Sequence, residues 1–250
     1  MGEDNIIKVK GLTKQYKDTQ TVAVNELNLG VARGEIFGLL GPNGAGKTTT
    51  LSILCSLMKP TSGDIKINGL SLNSNAGIIN KFIGVVPQEI ALFSNLTAFE
   101  NLRYFGNMYG LKGTYLKEKI SSLIEIFGIT NKTHDRVSTF SGGMKRRLNL
   151  ITGILHTPKI LFLDEPTVGI DVQSRTLIID YLKSINKLGT TIIYTSHHMD
   201  EAEKFCTRVA IIDMARIIVE GTPNKLINNY NSCNNLEDIF LEITGRNLRD

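Results

Sequence analysis

A glycine-rich stretch at residues 41–48 constrains this chain more than any other feature of its sequence. It fits the pattern G-x-x-x-x-G-K-[ST], follows an apolar strand pattern at residues 35–40 and precedes a helical pattern at residues 49–57. A glycine-rich turn that binds nothing is disfavoured, because strand, loop and helix come in the required order. Backbone N–H groups at a helix N-terminus attract anions, so we expect a nucleoside triphosphate here. The expected contacts are Gly41, Pro42, Asn43, Gly44, Ala45, Gly46, Lys47, Thr48 and Thr49.

The rest of the chain alternates short β-branched runs with helical patterns, and this alternation predicts an α/β fold. Strands are expected at residues 6–10, 35–40, 83–86, 160–163, 191–195 and 208–212. A helical pattern at residues 176–188 joins two of them, which indicates a βαβ crossover and a parallel sheet. Strand patterns are missing from residues 91–156, which show helical patterns at residues 100–108, 114–127 and 142–155. This segment is interpreted as an inserted helical lobe.

Two successive carboxylates, Asp164 and Glu165, end the apolar strand pattern at residues 160–163. Acids at a strand end often face solvent, but beside a phosphate loop they suit phosphoryl chemistry. Asp164 is expected to bind Mg²⁺ together with the Thr48 hydroxyl, and Glu165 to activate the attacking water. Guanine as the base is disfavoured, because the nearest match to Asn-Lys-x-Asp, at residues 131–134, ends in histidine.

Composition and charge exclude several classes of protein. The 250 residues are 42% hydrophobic and 21% charged, with a net charge of +4, which is ordinary for a globular protein and does not indicate nucleic acid binding. No apolar run approaches the ~20 residues that span a bilayer. The acidic N-terminus does not resemble a secretory signal, so a cytoplasmic protein is expected. The three cysteines are far apart, which indicates neither disulfides nor a zinc site.

Residues 140–147, with the sequence F-S-G-G-M-K-R-R, resemble the signature motif of ABC-transporter ATP-binding subunits. Further matches occur in the family's order at Tyr16, Gln88, Asp171 and His197, and the resemblance covers essentially the whole chain. It implies a P-loop NTPase fold with a mostly parallel core sheet, an antiparallel β subdomain and an inserted helical lobe. Residues 1–90 and 157–221 would form the ATP-binding core, residues 91–156 the helical lobe and residues 222–250 a short helical extension.

The resemblance also implies roles for single residues. Tyr16 would stack on adenine, although an exposed tyrosine without a function is the alternative. Gln88 would contact Mg²⁺ and take part in catalysis with Lys47, Glu165 and His197. His197 follows Thr-Ser as in the family, while His198 stays the alternative. The remaining nucleotide contacts would be Ser141, Gly142, Gly143 and Asp171.

The sequence departs from the family pattern in its signature, where Phe140 replaces the usual leucine and Met144 the usual glutamine. Ser141, Gly142 and Gly143 are retained, and Ser141 heads a helical pattern that could present an anion site. An active ATPase is therefore expected.

The resemblance further implies partners. Family members pair two ATP-binding domains head to tail, so each ATP lies between one phosphate loop and the opposite signature, and a homodimer is expected. A separate membrane permease would hold the chain at the cytoplasmic face of the cell membrane, docked near Gln88 and residues 91–109. The amino-acid sequences of several motifs resemble those of prokaryotic ABC-2 type exporters of drugs, antibiotics or sodium. An importer subunit, and a soluble ABC ATPase acting on nucleic acid, are the alternatives.

Overall fold

The computed structural model of the chain describes residues 4–230 and 232–245. Its strands are β1 (Asn5–Gln15), β2 (Val22–Ala32), β3 (Ile36–Leu40), β4 (Ser62–Ile67), β5 (Leu70–Ser71), β6 (Ile83–Val86), β7 (Ile160–Asp164), β8 (Thr191–Ser196), β9 (Arg208–Asp213) and β10 (Arg216–Gly221). Its α-helices are α1 (Lys47–Leu54), α2 (Leu72–Ile79), α3 (Ala98–Met108), α4 (Gly113–Ile126), α5 (Gly142–Ile154), α6 (Val172–Lys187), α7 (Met199–Phe205), α8 (Pro223–Asn229) and α9 (Leu236–Thr244).

The larger sheet has the strand order β10-β9-β3-β8-β7-β6. Every pair in it is parallel except β9 with β10, which is antiparallel. All residues of β3 and β7 are buried, as expected for parallel strands covered on both faces. The predicted mostly parallel core sheet is confirmed, and each of its predicted strands lies within one residue of its observed bounds.

The smaller sheet is antiparallel, with the order β2-β1-β4-β5. Of its strands, only residues 6–10 were predicted, and β1 is in fact longer. Strand β2 was not predicted, because its sequence lacks a regular alternation of apolar and polar residues. Its pairing with β1 shifts register several times, and Glu26 has a φ of 49°. The antiparallel sheet expected from the family resemblance is thus present, although only part of one of its strands was recognised from the sequence.

The larger sheet separates two apolar clusters, and β3 contributes side chains to both. Phe37 and Leu39 pack with buried residues of the antiparallel sheet, including Ile7 and Leu29. Ile36 and Leu40 pack in the second cluster, which also contains residues of α3–α9. Because side chains alternate along a strand, one central strand anchors the antiparallel sheet on one face and the helices on the other.

Helices α3, α4 and α5 follow one another between β6 and β7, as the sequence patterns predicted. Within the described residues, none of the helices is long and apolar enough to cross a membrane. The division into lobes at residues 90, 156 and 221 stays a prediction. The expected extension at residues 222–250 contains α8 and α9, and residues 231 and 246–250 of it lie outside the described residues, as do residues 1–3 of the expected core.

Candidate active site

The phosphate loop connects β3 to α1 and depends on glycine at two tight points. Gly41 has a φ of 149°, and a Cβ there would lie 2.1 Å from the carbonyl oxygen of Ile212. Gly46 has a φ of 108°, and its Cβ would lie 2.2 Å from the carbonyl oxygen of Ala23. Both conformations belong to the region that favours glycine. The loop is therefore enclosed by backbone from β9 and β2, which holds it at the N-terminus of α1.

Lys47 lies inside this loop and is buried. Its Nζ donates hydrogen bonds to the carbonyl oxygens of Gly41 at 2.8 Å and Pro42 at 3.1 Å, and it lies 3.3 Å from Glu165 Oε1. Burial lowers the pKa of the Lys47 ammonium, and the neighbouring Glu165 carboxylate opposes that shift. The site thus holds a desolvated cation beside the loop expected to receive phosphates.

Asp164, the last residue of β7, and Glu165, which follows it, share Thr195 as a hydrogen-bond partner. Asp164 Oδ1 accepts hydrogen bonds from Thr48 Oγ1 at 3.2 Å and from Thr195 Oγ1 at 2.6 Å. Glu165 donates its backbone N–H to the same Thr195 hydroxyl at 3.1 Å. Thr195 was not predicted as a site residue. The parallel pairing of β7 with β8 sets Asp164 opposite Thr195, and this register is the feature that identifies Thr195 as a neighbour of the site.

Glu165 is the point where the predicted catalytic side chains meet. Its Oε2 accepts from Gln88 Nε2 at 3.4 Å and lies 3.1 Å from His197 Nδ1. Its backbone has a φ of 47°, a left-handed conformation that is uncommon outside glycine and recurs at functional sites. His197 faces this carboxylate, whereas the neighbouring His198 is exposed. The functional role assigned to His197 stays a prediction.

Tyr16 lies just after β1 and beside the phosphate loop. Its hydroxyl is 3.2 Å from Thr49 Oγ1, and the ammonium of Lys14 lies 5.5 Å from the centre of its ring. The ring is partly exposed next to the start of α1, where a base attached to bound phosphates could reach it. This position is compatible with the expected adenine contact.

The signature residues form a second group with Asp171. Ser141 caps α5 by accepting the N–H of Met144 at 3.3 Å, which confirms that it heads a helix. Asp171 caps α6 by accepting the N–H and the hydroxyl of Ser174, both at 2.8 Å, and these bonds lower the pKa of its carboxyl. A Cβ on Gly143 would lie 2.9 Å from Asp171 Oδ2, so the signature packs against this cap. Within the described part of the chain, the hydrogen bonds of Ser141 and Asp171 do not reach the phosphate loop.

A buried polar network behind the site was also missed. Glu201 Oε1 accepts from the hydroxyls of Thr167, at 2.7 Å, and Tyr194, and Arg175 Nε lies 3.4 Å from its other oxygen. Burial raises the pKa of Tyr194 well above its usual range. The network joins the segment after Glu165 to the helix after His197, and only tertiary contacts reveal it.

The donor set beside the loop fits a hard cation. The Thr48 hydroxyl, the Asp164 carboxylate and the Gln88 amide offer oxygen, which Mg²⁺ prefers. Across residues 4–230 and 232–245, no group of three or more His, Cys, Asp or Glu could hold a metal by itself. Mg²⁺ commonly takes one or two carboxylates and completes its shell with phosphates and water.

The fold and the site together define a class of protein. A phosphate loop follows β3, Asp164 ends β7 and Glu165 follows it, and β8 lies between these two strands in a mostly parallel sheet. This arrangement is that of a P-loop nucleoside triphosphatase.

The family follows from comparison with known proteins. The sequence model described as "ABC transporter" matches residues 24–168, more than half of the chain. A model described as "AAA domain, putative AbiEii toxin, Type IV TA system" matches residues 136–201 only. The chain belongs to the ABC transporter family, as an ATP-binding and ATP-hydrolysing domain.

Several relatives are named as ATP-binding proteins of resistance or export systems. The chain is 43% identical over 88% of its length to the linearmycin resistance ATP-binding protein LnrL of Bacillus subtilis, of which it covers 70%. It is 41% identical over 93% of its length to the Nod factor export ATP-binding protein I of Cupriavidus pinatubonensis, covering 71% of that protein. It is 37% identical over 99% of its length to the doxorubicin resistance ATP-binding protein DrrA of Mycobacterium tuberculosis, covering 73% of it.

Solved structures support the same assignment. The ATP-binding subunit of an ABC transporter superposes with a TM-score of 0.87 at 26% identity, over 96% of this chain and 99% of that one. A dimeric post-hydrolysis state of an ATP-binding cassette with bound ADP and Pi gives a TM-score of 0.80 at 26% identity, over 86% and 98% of the two chains. The predicted fold class and family are confirmed.

Proposed function

We propose that this chain is the Mg²⁺-dependent ATPase subunit of an export system whose membrane permease is a separate polypeptide. The observation that carries the proposal is the convergence on Glu165 of Lys47, Gln88 and His197, which joins a phosphate-binding cation to a carboxylate able to act on water. The direction of transport rests on the relatives, whose names refer to drug resistance and to Nod factor export.

In the proposed reaction Glu165 orients and polarises the water that attacks the γ-phosphate. His197 and Gln88 both contact Glu165 Oε2, while Lys47 lies next to Oε1, so the carboxylate is held through both of its oxygens. Thr195 fixes the backbone of Glu165 and the carboxylate of Asp164. Phosphates bound at the loop compete with Glu165 for the Lys47 ammonium, which frees the carboxylate for the water.

Thr48, Asp164 and Gln88 are the residues that would hold Mg²⁺. The ion supplies charge neutralisation for the terminal phosphates when bound. Asp164 is held in place by two hydroxyl donors, and such fixed ligands need little rearrangement on binding. Adenine would rest against Tyr16.

The signature would act on the ATP of a second copy. Ser141, Gly142 and Asp171 are exposed, and Ser141 keeps its own O–H proton while its oxygen caps α5. The first turn of α5 thus presents a donor and the positive end of a helix dipole outward. A homodimer in which each signature meets the other phosphate loop would complete two sites.

The permease would dock in an apolar groove of about 800 Å³ between the end of α1, strand β6 and the end of α3. Two of its side chains, Leu57 and Met108, are 72% and 68% exposed, and Phe105 and Tyr109 line it beside them. Large apolar side chains gathered in an exposed groove are typical of a protein interface. The groove extends the docking region predicted around residues 91–109.

A phosphate-release assay on the purified chain with Mg-ATP tests the ATPase proposal. We expect Glu165→Gln to reduce turnover by roughly 100-fold or more while ATP binding persists. This variant with Mg-ATP should shift to a dimer on a sizing column, and adding Lys47→Ala should abolish the shift. Equal turnover in the wild type and in Glu165→Gln would overturn the assigned role of Glu165.

Purification of the tagged chain from gently solubilised native membranes tests the transporter proposal. A multi-spanning permease without its own ATP-binding domain should copurify, and Met108→Glu should lose it. Leu188→Glu is the matched control, since Leu188 is 87% exposed and lies outside the groove. Recovery with nucleic acid or ribosomes instead would contradict the proposal.

A further inference from the structure

The segment that carries Gln88 lies outside the larger sheet and is hydrogen-bonded to α5, the helix that begins in the signature motif. Strand β6 ends at Val86, and residues 87–91 lead away from it towards the helical lobe. Three backbone groups of this segment bond to two side chains of α5, Arg146 and Asn149. These two residues are three positions apart and share one face of the helix.

The side chain of Asn149 forms hydrogen bonds to both ends of this segment. Its Oδ1 accepts the N–H of Ala91 at 3.2 Å, and its Nδ2 donates to the carbonyl oxygen of Pro87 at 3.4 Å. The side chain is fully buried. A buried amide is costly to leave without partners, so this geometry restricts the loop on either side of Gln88.

Arg146 holds Gln88 itself. Its Nη1 donates to the carbonyl oxygen of Gln88, and its Nη2 donates to the carbonyl oxygen of Val168 at 3.4 Å. Val168 lies in the segment between Glu165 and Asp171. The planar guanidinium therefore joins the segment before the helical lobe to the segment after Glu165, a two-point contact that its fork geometry suits.

We infer that Asn149 and Arg146 are positioning residues, which hold the Gln88 amide at Glu165 and tie Gln88 to the helix headed by Ser141. Neither side chain is required to touch ATP; each acts through Gln88. Because the same helix begins at the signature, these contacts connect the helix that Ser141 caps to the segment that carries Gln88. The inference rests on the proposed ATPase function for its kinetic consequence, and on the contacts alone for its structural one.

Amide hydrogen exchange tests the structural part with a matched control. Asn149→Ala should speed exchange at Ala91, whose N–H loses its acceptor. Asn101 is also fully buried, but its side chain bonds to Phe93, whose N–H it accepts at 2.8 Å, and to the carbonyl oxygen of Thr97 rather than to residues 87–91. Asn101→Ala should therefore speed exchange at Phe93 and leave Ala91 protected. Unchanged exchange at Ala91 in Asn149→Ala would overturn the inference.

A double-mutant cycle tests the kinetic part. Asn149→Ala is expected to lower kcat about 10-fold, the range typical of residues that hold a reactive group in place, with KM for ATP unchanged. In a Gln88→Ala background the same substitution should have no further effect, because Asn149 acts through Gln88. Asn149→Asp, which keeps the acceptor for Ala91, should be intermediate.

Additive losses of Asn149→Ala and Gln88→Ala, or an equal loss of kcat in Asn101→Ala, would overturn the inference and indicate a general loss of stability. If Asn149→Ala does not fold, the same cycle is run with Arg146→Ala. A wild-type chain without ATPase activity would contradict the proposed function, whereas the exchange experiment would still decide the positioning role.

Discussion

Lys47 and Glu165 form an ion pair in the protein interior, with 3.3 Å between Lys47 Nζ and Glu165 Oε1 and only 4% of each side chain exposed. The residue predicted to bind phosphate and the residue predicted to activate water are therefore partners in one contact. Such a buried pair depends on both members, since either charge alone is poorly solvated.

We expect Lys47→Met to lower the free energy of unfolding by about 3 kcal/mol, because it leaves the Glu165 carboxylate buried without its cation. The double variant Lys47→Met/Glu165→Gln should lose clearly less than the sum of the two single variants. Denaturant unfolding measures all three, with Lys117→Met on the exposed face of α4 as control. Strict additivity would contradict a stabilising coupling between the two residues.

Thr195→Val replaces a hydroxyl by a methyl group of similar size. It removes the donor to Asp164 and the acceptor for the N–H of Glu165. We expect kcat to fall about 10-fold and the free energy of unfolding to fall by about 1–3 kcal/mol. Asp164 Oδ1 loses its donor at 2.6 Å and keeps only the Thr48 hydroxyl, and the N–H of Glu165 keeps only the carbonyl oxygen of Thr195 at 3.3 Å. Thr152→Val, which also removes a buried threonine hydroxyl but on α5, should affect stability and leave kcat close to wild type. A normal kcat in Thr195→Val would exclude a role for its hydroxyl in catalysis.

Two adjacent glycines of the signature should respond differently to alanine. A Cβ on Gly142 would meet nothing within 4 Å, whereas one on Gly143 would meet Asp171 Oδ2 at 2.9 Å and Ser174 Oγ at 3.0 Å. Gly143→Ala should disturb the Asp171 cap of α6 and cost about 1 kcal/mol in stability. Gly142→Ala should be neutral or slightly stabilising, since alanine favours helix. Equal unfolding midpoints for the two variants would argue against this packing.

His156 should contribute to the pH dependence of stability. Burial lowers the pKa of its ring and the nearby Lys119 adds to the shift, while the hydrogen bond to the carbonyl oxygen of Ile83 opposes it. A depressed pKa means that the unfolded chain binds a proton first as the pH falls. The free energy of unfolding should therefore decrease below the ordinary histidine pKa of about 6.5.

Chemical denaturation of the wild type and of His156→Gln between pH 7.5 and 5.5 measures this effect. As the pH falls, we expect the free energy of unfolding of the wild type to decrease more than that of His156→Gln. The exposed His134 offers the control substitution His134→Gln. The pH dependence assigned to His156 is wrong if both substitutions change the profile equally.

The sequence alone was sufficient to locate the loop between β3 and α1, the two acidic residues at the end of β7 and the parallel core. Each of these depends on local spacing: Gly41, Gly46 and Lys47 lie within seven consecutive residues, and β3 and β7 are short apolar runs with a defined end. Short-range spacing determines local backbone geometry, so it can be read without knowing the neighbours in space.

The tertiary structure decided what surrounds these groups. Thr195 reaches Asp164 because β7 and β8 pair in one register, and Arg146 and Asn149 reach the Gln88 segment because α5 turns one face towards it. Strand β2 was not recognised from the sequence because its pairing with β1 shifts register. The contact between His197 and Glu165 is likewise visible only in the folded chain. Contacts between residues distant in sequence depend on register and on the orientation of packed elements, which no local pattern specifies.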